Sequence, residues 1–305
     1  EKQMKITNKY NLPAPLVDAV TRNHKYTPKQ YSVTALLKGP CQAILERRHD
    51  DEIEQDVSDM IWLIFGTAVH SILEKSQEEL EELKENKFVV DMLNGYKLSG
   101  IFDLYNDATG TVTDYKTASV QKVLKNDWDE YRKQTLIYCW MLRQIGFDAN
   151  RGEIVAMLKD HSKTKALQGG NYPQHPVYRI GWDFTDDDFK EIEEWIKQRF
   201  EELSDCEQMD DADLPNCTPT ERWHKDDTYA IMKKGRKSAV KLFKTEGDAK
   251  AYFDNLMLDD KHSIVKREGA DNRCDNYCNV NKWCPYYRSK HAECSDNQCD
   301  TETAE

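Results

Sequence analysis

Nowhere in the 305 residues is there an apolar run near the ~20 residues that a membrane span requires. The first ten residues, EKQMKITNKY, are charged and polar, so no secretory leader is expected. The phosphate-cradling pattern G-x-x-x-x-G-K-[ST] is absent, and the chain is too short for a helicase motor. Positive charge is scarce relative to negative. The 43 Lys and Arg stand against 55 Asp and Glu, a formal net charge of -12. That balance argues against a protein that coats nucleic acid electrostatically, and it confines any basic contact surface to local patches. The cysteines lack an even count: there are nine. Without a leader, they point to a reducing compartment and to metal ligation rather than a disulfide framework.

What is present is 39% hydrophobic and 32% charged, enough apolar material for a real core. The length suits one large domain, or one domain carrying an insertion. The chain is organised around Lys97 to Thr117, KLSGIFDLYNDATGTVTDYKT. Two apolar runs flank the turn-forming segment Asn106 to Gly110, the pattern of a β-hairpin. Asp114 and Lys116 then share one strand face, with Tyr115 on the other. A turn centred between Ala108 and Thr109 sets Asp103 opposite Asp114. Opposed residues have Cβ atoms roughly 4.5–5.5 Å apart, where like charges destabilise. Two facing carboxylates beside a lysine are most simply explained by a divalent cation.

Gly100-Ile101-Phe102-Asp103 followed by Asp114-Tyr115-Lys116 resembles the G-x-x-D and D-x-K core of the PD-(D/E)XK nuclease superfamily. The flanking segments make the resemblance closest to its RecB-like branch. Upstream, residues 59–85 read as one long helix in which Gly66, His70 and Glu74 share a face. Gly66 is expected to let this helix approach the sheet closely. G-x-x-x-H-x-x-L-E is similar to the first RecB-like motif, whose histidine ligates metal. Downstream, residues 127–146 read as an apolar helix ended by Gly146. Gln134 and Tyr138 on one face of it match the branch's Q-x-x-x-Y, which faces the active site and the DNA.

The fold implied is mixed α/β: a restriction-endonuclease-like core with a central mixed sheet flanked by helices, a helical N-terminal region and a Cys-rich C-terminal module. We expect an N-terminal arm over 1–30, broken by Pro13, Pro15 and Pro28, and a nuclease core over 31–215. Within the core, Ser32 is an expected N-cap for a short helix through Leu37, with a second helix from about Cys41 to His49. Strands are expected over 151–160 and 176–184, an acidic helix over 185–203 and a linker over 204–218. A small basic ββα insertion is expected over 216–265, its helix capped by Thr245. Lys233, Lys234, Arg236 and Lys237 make its turn the most basic patch of the chain, and a candidate nucleic-acid contact.

The tail over 266–305 contains DNRCDNYCNVNKWCPYYRSK. In iron–sulfur RecB-like nucleases, three C-terminal cysteines join one upstream cysteine around a [4Fe–4S] cluster. The resemblance therefore implies a cluster on Cys41, Cys274, Cys278 and Cys284, with the tail packing back on the N-terminal region. The spacing here is C-x3-C-x5-C where the family has C-x2-C-x5-C. A zinc site on Cys274, Cys278, Cys284 and Cys294 stays open, and Cys299 lies close by. Cys139, Cys206 and Cys217 read as bystanders.

The resemblance implies a Mg²⁺- or Mn²⁺-dependent deoxyribonuclease, an exonuclease acting on single-stranded DNA or DNA ends. His70, Asp103, Asp114 and the Tyr115 carbonyl would hold metal. Lys116 would stabilise the transition state, with Gln134 and Tyr138 positioning it. The expected setting is the cytoplasm of a bacterium or phage-infected host. DNA is the expected partner, beside a second copy of the chain or a recombination- or CRISPR-type protein, with no membrane involved. Two rivals stand against this: a catalytically inactive nuclease-fold DNA-binding or scaffold protein, and an iron–sulfur redox or radical enzyme.

Overall fold

The computed structural model describes residues 4–21, 26–75, 82–84, 87–256 and 261–296. Its contacts fall into two compact units, Glu1–Met209 and Asp210–Glu305. The first unit contains β1 (Gln30–Ser32), α1 (Pro40–Arg48), α2 (Ile61–Glu74), β2 (Glu82–Lys84), β3 (Lys87–Asp91), β4 (Lys97–Ile101), β5 (Leu104–Asn106) and β6 (Thr111–Ala118). It continues with α3 (Asp129–Gln144), β7 (Arg151–Leu158), β8 (Val177–Asp183) and α4 (Asp186–Gln208).

Five strands form the central sheet, in the order β8-β7-β6-β5-β2. The β6–β7 pair is parallel and the others are antiparallel, so the sheet is mixed, as expected. Burial alternates along β7, placing Gly152, Ile154, Ala156 and Leu158 inward at the two-residue period of a strand. Ile154, Ala156 and Leu158 pack with Ala118, Val120 and Trp128. α3 closes over the sheet with Gln134 to Leu142 all buried. Fully burying Ile137 or Leu142 contributes on the order of 1.5–3 kcal/mol each.

The stretch from Lys97 to Thr117 is not one continuous hairpin. β4 belongs to a second sheet, ordered β1-β4-β3, and β5 belongs to the central one. The chain changes sheets at Phe102 and Asp103. Phe102 is buried, stacked at 5.1 Å on Phe88 and edge-on to Tyr105. Packing of this aromatic anchors the crossover. The turn itself is as read: Thr109 N–H and Oγ1–H both donate to Asn106 Oδ1 at 3.0 Å. Gly110 has φ +61°, and a Cβ there would stand 2.4 Å from the Asp148 carbonyl oxygen.

Other boundaries moved. The helix read over 59–85 ends at Glu74, residues 76–81 lie outside the described residues, and Glu82–Lys84 is a strand. The N-terminal arm is partly regular. Lys5–Thr7 pairs with Glu54–Asp56, and Ala14–Val20 is helical with Pro15 in its first turn, where a missing N–H costs little. Ser32 caps its helix as read, accepting from Ala35 N–H at 3.1 Å. The linker read from residue 204 is helical to Gln208 because Glu207 has work there: its two oxygens accept from Tyr31 and Tyr96 hydroxyls at 2.7 and 2.6 Å. Among the described residues no helix is long and apolar enough to cross a membrane.

α4 begins on a reciprocal cap. Thr185 Oγ1 accepts from Asp188 N–H at 3.2 Å, and Asp188 Oδ2 accepts from Thr185 N–H at 2.9 Å. These bonds, the Thr185 backbone first, hold the Asp188 carboxyl down to about 2. A depressed carboxyl contributes stability above its unfolded value, and that contribution is lost as pH falls through the folded value. Asp188→Asn is therefore expected to lower stability by about 1 kcal/mol at neutral pH. The gap from wild type should close between 3.8 and about 2, as read by chemical denaturation across that range.

In the second unit, β9 (Thr228–Lys233), β10 (Lys241–Phe243) and α5 (Glu246–Asn255) form the expected ββα element, and Thr245 caps its helix. β11 (His262–Arg267) adds a third strand, beside β9. Two short helices follow, α6 (Asn272–Asn276) and α7 (Pro285–Asp296).

Candidate active site

Elements of the first unit bring the predicted side chains together. His70 comes from α2, Asp103 from the β4–β5 crossover, Asp114 and Lys116 from β6, and Gln134 and Tyr138 from α3. β5 and β6 pair Leu104 with Thr113, Tyr105 with Val112 and Asn106 with Thr111. One further step in that register sets Asp103 against Asp114, as the turn residues imply. Both carboxylates are buried, at 9% and 3% exposure.

Each carboxylate is engaged by a basic side chain. Asp103 Oδ1 lies 2.9 Å from His70 Nδ1, and its Oδ2 accepts from the Tyr115 backbone N–H at 2.6 Å. The Lys116 ammonium is in ion-pair contact with Asp114 Oδ2. That ammonium is the partner of an otherwise unsatisfied buried oxygen. The hydrogen bond to Asp103 holds the His70 imidazole above its ordinary value, against the pull of partial burial. Burial pushes the Asp114 carboxyl above the usual carboxylate range, and the neighbouring Asp103 adds to this, while Lys116 opposes it. Two acids in one buried pocket, one driven upward, form a constellation that a cation would relieve.

Behind this pair, Gln134 Nε2–H donates to Tyr138 Oη at 3.2 Å. Burial pushes the Tyr138 phenol up to about 12, and the charges of Asp114 and Lys116 are felt there. Gly100 makes room for it: a Cβ at that position would stand 2.9 Å from Tyr138 Cε1. The glycine of G-x-x-D and the tyrosine of Q-x-x-x-Y are thus packing partners. Sequence reading missed Tyr131, whose ring centroid lies 5.4 Å from Lys116 Nζ. Its position three residues before Gln134, on the same helical face, was the available signal.

Gly66 does not do what its spacing suggests. No heavy atom comes within 4 Å of where its Cβ would be, so close helix–sheet approach is not its role. Of the sulfur candidates, Cys41 is buried in α1 of the first unit, whereas Cys274 and Cys284 are buried and Cys278 half-buried in the second. Cys294 falls in α7, and Cys299 lies outside the described residues. Lys233, Lys234, Arg236 and Lys237 are all exposed in the second unit.

Among the described residues no three His, Cys, Asp or Glu side chains stand as a ready-made metal-binding set. The donor chemistry nevertheless fits a hard divalent cation. His70, Asp103 and Asp114 offer one imidazole and two buried carboxylates.

Residues 76–220 match the PD-(D/E)XK nuclease superfamily, so a nuclease-superfamily domain lies in this part of the chain. His70 and Cys41 lie upstream of the matched span, and the last cysteines lie beyond it. No curated protein sequence matches the chain. Among solved structures it is similar to the protein SSO0001, at 18% identity and a TM-score of 0.41, covering 59% of this chain and 78% of that one. It is also similar to an alkaline exonuclease from Laribacter hongkongensis, at 12% identity and 0.35, covering 58% and 89%. A phage related exonuclease from Haemophilus somnus 129PT is similar at 11% identity and 0.26, covering 55% and 95%.

Proposed function

We propose that this nuclease-superfamily domain hydrolyses phosphodiester bonds in DNA, as an exonuclease acting on single strands or on free ends. The observation that carries the reading is the buried Asp103–Asp114 opposition with Lys116 on the same strand face as Asp114. A scaffold protein has no physical need for it, since like charges at that distance only destabilise. His70, Asp103, Asp114 and the Tyr115 carbonyl would hold Mg²⁺ or Mn²⁺, which supplies a Lewis acid and an acidified water.

The chain's own residues do the rest. Lys116 carries the positive charge that faces a non-bridging phosphate oxygen and stabilises charge developing there. Its ion pair with Asp114 holds that ammonium at the site. The Tyr131 ring lies near the ammonium on one side, restricting where it can point. Tyr138 and Gln134 form a buried hydrogen-bonded support beneath the pair. His70 places Asp103, its Nδ1 standing 2.9 Å from that carboxylate's Oδ1. The exposed basic turn of the second unit is a further contact for the DNA backbone. Cys274, Cys278 and Cys284 supply thiolates to a structural metal centre, a [4Fe–4S] cluster or zinc.

The test is cleavage of end-labelled single-stranded and duplex DNA with Mn²⁺, comparing wild type with Lys116→Ala. Wild type is expected to cut, with a product ladder that reads polarity, and the variant to lose roughly 10²–10³-fold in rate. If folded wild type cuts neither substrate while still binding DNA, the hydrolytic reading is wrong and the protein is a DNA-binding scaffold.

A further inference from the structure

The cysteine that sequence reading set aside falls in the same unit as the three it singled out. Cys217 precedes a turn in which Thr218 N–H donates to Glu221 at 2.8 Å and Glu221 N–H donates to Thr218 Oγ1 at 3.3 Å. This turn is stitched onto the segment carrying Cys274. Arg273 N–H donates to the Arg222 carbonyl at 3.1 Å, and Arg273 Nη1–H to the Glu221 carbonyl at 3.0 Å. The rings of Trp223 and Tyr277 meet edge-on at 5.4 Å.

The other two cysteines are tied to the same place. Cys278 N–H donates to the Arg273 carbonyl at 2.8 Å. Asn281 Nδ2–H donates to the Cys274 carbonyl at 2.9 Å, and Cys284 N–H to the Asn281 carbonyl at 3.0 Å. Beyond Cys284, Tyr286 donates to buried Asp271 at 2.7 Å and its ring lies 4.2 Å from the Arg222 guanidinium. The backbone segments that carry these four cysteines are thus tied to one another within the second unit. The charges of Cys278, Cys217 and Cys284 are all felt at Cys274, although burial is the larger influence there.

That unit has little else to hold it. Apart from Cys274 and Cys284, its buried apolar residues among those described are Leu214, Ala230, Ile231, Ala249 and Val280. A core that thin needs a staple, and in a reducing compartment the available staple is a thiolate-bound metal. The whole three-stranded basic element lies between Cys217 and Cys274, so a metal held by both closes its base.

We infer that Cys217, Cys274, Cys278 and Cys284 form a four-thiolate centre for a soft metal, self-contained in the second unit, with Cys217 in the place that the family resemblance gives to Cys41. Four-sulfur sites take zinc or an iron–sulfur cluster, and both share this ligand chemistry. Among the described residues no three of these side chains stand as a ready-made metal set, so binding would draw the thiols together. The centre is independent of the nuclease reading, because it is read by metal content and not by cleavage.

The experiment is elemental and spectroscopic analysis of the full chain, purified without oxygen from cells supplied with zinc, iron and sulfur. The expected result is about one zinc per chain, or about four iron with matching sulfide and visible absorbance. Cys217→Ser should lose most of that metal and Cys41→Ser should keep it. The reverse pattern overturns the inference, as does wild type with neither metal. Should Cys217→Ser not fold, alkylation mapping of wild type decides. Cys217, Cys274, Cys278 and Cys284 are expected to become reactive together when a chelator removes the metal, while Cys41 does not change. Reactivity of Cys217 that ignores the chelator sinks the proposal.

Discussion

Asp114→Asn is expected to lower DNA cleavage by roughly 10²–10³-fold or more while leaving the fold intact. Asparagine keeps the shape of the side chain and removes the charge that would meet a cation. The cost to folding should be small for a physical reason. Burial already disfavours the ionised carboxyl, so the native state loses an expensive charge along with its partner to Lys116. The sign of the pH effect follows. A carboxyl raised in the folded state weighs against stability as pH climbs past its unfolded value, so the variant should show less stability loss between acid and neutral pH than wild type. A second readout separates metal binding from catalysis. Mn²⁺ at about 100 times its dissociation constant should stabilise wild type by ~2.7 kcal/mol, and the variant by far less. Equal stabilisation of both proteins would mean that Asp114 does not face the metal.

Gly152→Val is expected to be the most damaging single change outside the site. A Cβ there would stand 2.4 Å from Thr135 Oγ1, 2.8 Å from Thr135 Cβ and 2.9 Å from Phe184 Cε2. Thr135 is fully buried on α3, with its hydroxyl bonded to the Arg132 carbonyl, so it has nowhere to go. Overpacking of this kind costs about 3 kcal/mol, and a domain of this size loses ~2–4 °C of melting temperature per kcal/mol. The helix carrying Gln134 and Tyr138 would be lifted from β7, so activity should fall with stability. The contrasting control is Gly66→Ala. Open space surrounds that position, and replacing a helical glycine should raise stability by up to about 1 kcal/mol. Circular dichroism melts of the two variants test the pair. An unperturbed Gly152→Val would show that α3 and β7 are not as close as described.

The two glycines show where sequence reading succeeds and fails. A glycine at helical spacing beside a motif histidine invites a packing role, yet Gly66 faces open space. Gly152 sits in a strand that the sequence does show, yet its close contacts are not legible there, because its neighbours come from a helix before it and a loop after it. Cys217 and Glu207 have neighbours that are hidden from sequence reading in the same way. One sits in what reads as a polar linker, and its companions are far along the chain. The other extends a helix past its apolar pattern because two tyrosine hydroxyls, from β1 and from just before β4, end on its carboxylate.

What the amino-acid order determined by itself is whatever rests on bonds between near neighbours. The turn at Asn106 to Gly110 sets the β5–β6 register, and with it the facing of Asp103 and Asp114. The caps at Ser32, Thr185 and Thr245 start their helices with hydrogen bonds that span three residues. The alternation that puts Lys116 beside Asp114 is a property of any strand. What only the tertiary structure decided is which distant surfaces meet. It split the apparent hairpin between two sheets at Phe102, brought His70 onto Asp103, set Tyr131 near Lys116 and tied the segment after Cys217 to the one that carries Cys274. Such contacts are chosen by the packing of the whole unit against the entropy of closing long loops, a balance that no local stretch of sequence carries.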